Sequence, residues 1–417
     1  MKQIFIMVVA FLLLCGCAER DKPTLSPNSP KPPELSDISY IRQQEYEIRD
    51  CKYNPLRYEE MHAVWLTYIE LSELFANESS SDDLRRDSDK LFGKLSELGI
   101  NTVFLHVRAF GDAFYDSELF APTRFLTFGC DPLEIMLETA HAHEIAVHVW
   151  VNPLRCETEE NMYRSEGTLI GEWYNNRDSY PGYIVMPEND IHYWLNPAVP
   201  KVRQLAADGV TELCENYDID GVHIDDYFYP TTDESFDAVQ YAAYEGALSL
   251  ADWRRENCTL LVKALYSAVK EADPAIIFSV SPQGNIANNY DLLYADAERW
   301  CSEEGCLDII IPQIYFGYDN EVCPFSETLA EWIRLAHGKT LVCGIGMYKA
   351  AAGEELSGGE YSGVIARQIN EALSSEGCGG FAVYSCSSLL NETDPALIGE
   401  RAAAAAVIKR SSRDHRS

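Results

Sequence analysis

The chain has 417 residues, with 66 Asp and Glu against 33 Lys and Arg and a formal charge of −33 at pH 7. Such an acidic surface argues against nucleic acid and other polyanionic backbones as partners, because both need a basic face, and leaves neutral glycans open. The length exceeds one average domain and suits a single (β/α)8 barrel of about 250 residues, enlarged by insertions and a leader.

Residues 1–16 read as an export signal. Lys2 precedes the apolar run from Ile4 to Leu14, which is too short for a permanent membrane span, and Leu14, Cys15, Gly16 and Cys17 follow. This ending resembles the lipobox of bacterial lipoproteins. The resemblance implies cleavage before Cys17, a lipid on its sulfur, and an exported chain anchored to a membrane; an ordinary secretory signal cleaved nearby is the alternative. Residues 17–57, with Pro23, Pro27, Pro30, Pro32 and Pro33, are expected to form an extended tether. The cysteines beyond Cys15 and Cys17 show no CxxC or paired-His spacing, with Cys301 and Cys306 the closest pair, and most are expected to be buried free thiols. No metal or other cofactor is expected, and the chain is expected to be monomeric.

From His62 onward short apolar runs alternate with longer amphipathic ones, the pattern of strand-helix repeats around a parallel sheet. Residues 58–410 are therefore assigned to the (β/α)8 barrel and 411–417 to a disordered tail. Strands are predicted at 63–69, 102–108, 146–152, 219–225, 276–281, 309–315, 341–345 and 380–385. Helices are predicted at 84–98, 133–143, 202–217, 238–272 with a break, 290–301, 325–336, 364–373 and 396–408. Asp131, Pro132 and Glu134 form a helix start, and Asn196-Pro197 and Asp394-Pro395 repeat its cap-then-proline pattern. Helix-to-strand connections are short while strand-to-helix excursions run long, at 110–130 and 153–200 above all. A parallel barrel places its chemistry at that end. Trp173, Tyr174, Tyr180, Tyr183, Tyr193 and Trp194 crowd the second excursion, either as the wall of a sugar cleft or as braces for the loop.

Alternation divides each strand into a side facing helices and a side facing the barrel interior. With Val103, Leu105 and Val107 outward, Thr102, Phe104, His106 and Arg108 point inward. By the same parity Ala146, His148, Trp150 and Asn152 are inward on the third strand, and His223 and Asp225 on the fourth. The fifth then contributes Ser279, Ser281 and Gln283, and the sixth Gln313 and Tyr315. Polar groups inside a packed barrel cost about 1–3 kcal/mol each if unpaired, so they must bond one another or a ligand. Asp225 and Asp226 end the fourth strand. Both can serve the site only if the backbone turns at Asp226, since neighbours in a regular strand face opposite ways. His106, His148, His223 and Asp225 also allow a metal site, although residues 63–70 lack the His-x-His expected of a metal-hydrolase barrel.

Trp65-Leu66-Thr67, the run 99–108, Val149-Trp150-Val151-Asn152-Pro153, Trp194-Leu195-Asn196-Pro197, the stretch 220–230 and Ile311-Pro312-Gln313-Ile314-Tyr315 together resemble the glycosyl hydrolase-like family 10 lipoproteins of bacterial envelopes. The resemblance implies a (β/α)8 barrel that hydrolyses an envelope glycan, peptidoglycan strands above all. Its Asp-Gly-Val-His-x-Asp-Asp-Tyr pattern falls on 220–227 and supports Asp225 and Asp226 as the catalytic carboxylates. Glu70, expected at the end of the first strand, is the candidate for a second carboxylate from another loop. Arg108, Asn152, His223, Gln283, Gln313, Tyr315 and Tyr384 form the supporting set, with His106, His148 and Tyr227 as further substrate contacts. Two other readings share this polar face: a glycan-binding lipoprotein without turnover, and a metal-dependent deacetylase.

Overall fold

The computed structural model describes residues 53–414 except 78, 127, 353–362 and 392–394. The signal, Cys17 and most of the tether lie outside the described residues. Eight parallel strands close a barrel in simple chain order: β1 Met61–Leu66, β2 Thr102–Arg108, β3 Ala146–Val151, β4 Gly221–Ile224, β5 Ile277–Val280, β6 Ile309–Ile310, β7 Thr340–Gly346 and β8 Cys378–Tyr384. All eight predicted strands are present, because each carries β-branched or aromatic residues buried on both faces, as parallel strands require.

The barrel wall separates two apolar clusters. Val103, Leu105, Val147, Val149, Val222, Ile224, Phe278 and Val280 belong to the layer shared with the helices. Met61, Ala63, Trp65, Phe104, Trp150, Ile309, Ile311, Val342 and Ala382 fill the interior. The alternation predicted for β2 and β3 therefore holds as far as His106. There the register slips: His106 pairs with Trp150 but Arg108 pairs with Val151. This bulge puts Val107 and Arg108 on the same outer side.

Local chemistry explains the other departures. β1 stops at Leu66 because Thr67 caps a helix, Tyr68–Ala76, in a reciprocal capping box with Glu70. Regular pairing in β6 ends at Ile310, and beyond Pro312 only Gln313 bridges to its neighbours Gln283 and Gly344. Asp131 caps its helix as expected. Asn196 does not: its helix begins at Pro200, and the Asn196 amide instead donates to Gly182 O and Gln240 Oε1. The long fourth helix breaks into Ala238–Ala242 and Leu250–Ala272. The last helix, Ile398–Asp414, runs past the predicted boundary at 410.

The base of the barrel is closed by residues assigned to the tether. Asp220 Oδ1 accepts from Tyr53 Oη at 2.7 Å and Leu56 N at 2.6 Å. Its Oδ2 accepts from Val147 N at 2.6 Å and bonds His141 Nε2 at 2.9 Å. The folded domain thus begins at Tyr53 rather than at 58. Among the described residues the cysteines are free thiols, and Cys156, Cys258, Cys301, Cys306, Cys343 and Cys386 are buried.

Candidate active site

The interior polar residues form tiers. His148 lies in the lower one, level with Phe104 and Gly221. A Cβ on Gly221 would come within 2.5 Å of the His148 ring, so the missing side chain makes room for the imidazole. His148 borders a small cavity lined from below by Leu56, Arg57, Tyr58 and Glu59. Burial holds its pKa down at about 4. It is a core residue remote from the mouth, not a substrate contact.

His223 forms the next tier. Trp65 Nε1 donates to its Nε2 at 3.0 Å, so its Nδ1 carries the proton that bonds Ser279 Oγ at 2.8 Å. Phe104 stacks on the ring at 4.2 Å. Burial keeps this imidazole neutral far below its ordinary pKa. With both nitrogens committed, His223 can neither ligate a metal nor bind a sugar; it is a pillar beneath the carboxylates. Among the described residues no group of three or more His, Cys, Asp or Glu is arranged to hold a metal ion. His106 sits higher, stacked on Trp150 at 3.6 Å and edge-on to Tyr68 at 5.5 Å. Burial lowers its pKa, opposed by Asn152 and the Arg108 backbone beside the ring.

At the C-terminal mouth β4 ends at Ile224 and the chain bends at Asp226. Asp226 is clamped: Gln283 Nε2 donates to its Oδ2 at 3.0 Å and Gln313 Nε2 to its Oδ1 at 3.2 Å. Asp225 is 5 % exposed, and its Oδ1 has no partner among the described residues. Burial and then the neighbouring Asp226 charge push the Asp225 carboxyl well above the usual range, against the pull of Arg155, the Tyr227 N–H and the Trp150 indole N–H. Burial raises Asp226 as well, but the Gln283 and Gln313 amides oppose it. Two adjacent buried carboxyls share a proton and titrate as a unit. The amide donors on Asp226 favour its anion, and burial with the Asp226 charge raises Asp225 further, so Asp225 is the weaker acid of the two.

Aromatic rings surround this pair. Tyr315, Tyr384 and Tyr348 meet at centroid distances of 5.7–6.1 Å. Tyr227 stacks on Trp194 at 5.7 Å. The other aromatics of the long excursion brace one another, as Trp173 with Tyr183 and Tyr174 with Tyr193. Asn152 Oδ1 accepts from Trp150 Nε1 at 3.1 Å, so its amide orients the tryptophan rather than awaiting a sugar hydroxyl.

Two expected site residues lie elsewhere. Arg108 is outside the barrel wall, over the Phe120 ring at 4.3 Å and beneath Gly209, where a Cβ would strike its guanidinium. Glu70 closes its capping box, Oε2 accepting from Thr67 N at 2.7 Å, while Oε1 accepts from Ser385 Oγ at 3.0 Å and from Ser387 N. It ties the first helix to the chain after β8 instead of facing Asp225. Arg155 was not anticipated. It lies in the excursion after β3, within a small antiparallel sheet of Arg155–Thr158, His192–Leu195 and Ile184–Val185. Its guanidinium packs over Tyr227 at 4.1 Å and Phe110 at 4.5 Å.

Residues 60–343 match the family described as Glycosyl hydrolase-like 10. The chain belongs to this family. Glycosyl hydrolase DigH of Escherichia coli K12 is 31% identical over 365 residues, covering 78% of this chain and 78% of that protein. Glycosyl hydrolase YngK of Bacillus subtilis is 31% identical over 300 residues, 66% of this chain but only 57% of the length of YngK. Among solved structures, the PgaB (BpsB) glycoside hydrolase domain of Bordetella bronchiseptica superposes with a TM-score of 0.54 at 12% identity, covering 82% of this chain and 98% of that domain. Alpha-L-fucosidase isoenzyme 2 of Paenibacillus thiaminolyticus gives 0.55 at 16% identity over 85% of this chain and 50% of that one. These structural likenesses establish the fold, a barrel shared with glycoside hydrolases.

Proposed function

We propose that the chain hydrolyses glycosidic bonds of a cell-envelope glycan, peptidoglycan strands in particular, through Asp225 and Asp226. The observation that carries the reading is the asymmetry of the pair: Asp225 is buried with an unpartnered oxygen, whereas both oxygens of Asp226 are held by amide donors. Glycoside cleavage needs a proton for the leaving oxygen and negative charge beside the developing oxocarbenium ion. In the scheme proposed, Asp225 donates its proton to the glycosidic oxygen as the C1–O bond breaks. The acetamido oxygen of an N-acetylated sugar bonds C1, and Asp226 balances the positive charge on its N–H. Water then attacks C1, Asp225 takes its proton, and the acetamide is released. Peptidoglycan is supported by the motif resemblance and by the export signal with its lipid-acceptor Cys17, which would anchor the barrel to a bacterial membrane.

The test is release of reducing ends from purified peptidoglycan glycan strands. The native chain is expected to be active, with or without chelator. Asp225→Asn and Asp226→Asn are each expected to lose roughly a hundredfold to ten-thousandfold in turnover, the range for removing a group that moves or balances a proton. Glycan binding without turnover in the native chain would overturn the reading, as would activity abolished by chelator.

A further inference from the structure

Arg155 is 7 % exposed, and its Nε donates to Ala109 O at 3.1 Å. Its guanidinium is fixed by the rings of Tyr227, Phe110 and Tyr68 at 4.1, 4.5 and 5.8 Å. The neighbouring basic side chains have carboxylate partners: Arg124 pairs with Glu157, and His192 Nδ1 lies 3.3 Å from Asp190. Arg155 is not. Among the described residues no carboxylate pairs with it, and no acceptor takes its two terminal nitrogens. Its packing on Tyr227, the residue after Asp226, places it at the mouth, where its charge opposes the burial-driven rise of Asp225 and Asp226. A guanidinium is desolvated and stacked in this way where its planar fork of N–H groups meets a planar anion. In a chain of charge −33, an anionic ligand would otherwise be repelled from this face.

Building on the hydrolase reading, we infer that the sugar bound at the mouth carries a carboxylate and that the free fork of Arg155 takes it as a two-point hydrogen-bonded pair. The packed rings and the Nε bond to Ala109 O restrict the guanidinium, so the contact selects a carboxylate over a hydroxyl. A lactyl ether on an amino sugar and a hexuronic acid both offer this group.

The experiment compares kcat/KM of the full chain on three glycans of N-acetylated amino sugars: one with lactyl ether carboxylates, one with hexuronic acids, and the lactyl glycan with its carboxylates reduced to alcohols. The native protein is expected to favour one carboxylate glycan at least tenfold over the reduced one, which identifies the source of the group. Arg155→Gln should bring that ratio close to one, mainly through KM, and Arg155→Lys should restore part of it. Each ratio is taken within one preparation, so partial misfolding cancels. Equal rates of the native protein on acidic and reduced glycans would overturn the inference and leave the hydrolase reading standing, as would a ratio preserved in Arg155→Gln. No cleavage of any glycan would sink the hydrolase reading and this inference with it.

Discussion

Replacing Gln283 by Leu removes the donor from one oxygen of Asp226 and leaves a side chain of similar size. A hydrogen bond to a charged group contributes about 1.5–3 kcal/mol. Losing it should therefore raise the Asp226 pKa further. Burial already raises it, and the Gln283 amide is the foremost of the groups opposing that rise. Asp226 acts as the anion, so activity is lost as pH falls through its pKa, and a higher pKa moves the acid limb of the rate profile to higher pH. Gln283 makes no bond to Asp225, so the alkaline limb should move less. The assay is kcat/KM for reducing-end release over about pH 4 to 9, where such limbs report the essential acid and base. An acid limb that stays in place, or moves to lower pH, in a variant with native circular dichroism would refute the assigned charge on Asp226.

Other variants separate scaffold from site. Glu70→Ala should lose about 1–2 kcal/mol of stability from its capping box while turnover per folded molecule is retained; a hundredfold fall in turnover would return Glu70 to the active site. Asp220→Ala leaves the Tyr53, Leu56, Val147 and His141 groups without their acceptor, and denaturant titration should show a loss of at least about 3 kcal/mol. A loss below about 1 kcal/mol would mean that residues from Tyr53 onward do not latch the base. Gly221→Ala should destabilise by about 1–3 kcal/mol through contact with the His148 ring, and His148→Ala in the same chain should relieve most of it.

The barrel was legible in the sequence because the strands obey alternation, and alternation assigns Phe104, His106, Trp150, His223 and Ser279 to the interior correctly. It misplaced Arg108 because a bulge inserts a residue without altering the apolar pattern, and the slip becomes visible only in the pairing of β2 with β3. Glu70 could have been read differently from the start, since Thr67 and Glu70 have the spacing of a capping box. The saturation of His223 could not, because its partners Trp65 and Ser279 come from strands that meet only when the barrel closes. Arg155 was hidden for a related reason. It follows the third strand in a loop whose local pattern is uninformative, and its rings come from Tyr68, Phe110 and Tyr227 on three other connections.

The division of labour between the two acids is open to direct observation by carbon-13 NMR of aspartate carboxyl groups, with Asp225→Asn and Asp226→Asn to assign the signals. At neutral pH the Asp225 carbon should show the shift of a protonated acid and the Asp226 carbon that of a carboxylate, with Asp225 deprotonating only well above the ordinary range. Two ionised signals at neutral pH, each titrating near the ordinary aspartate value, would contradict the mechanism at its root.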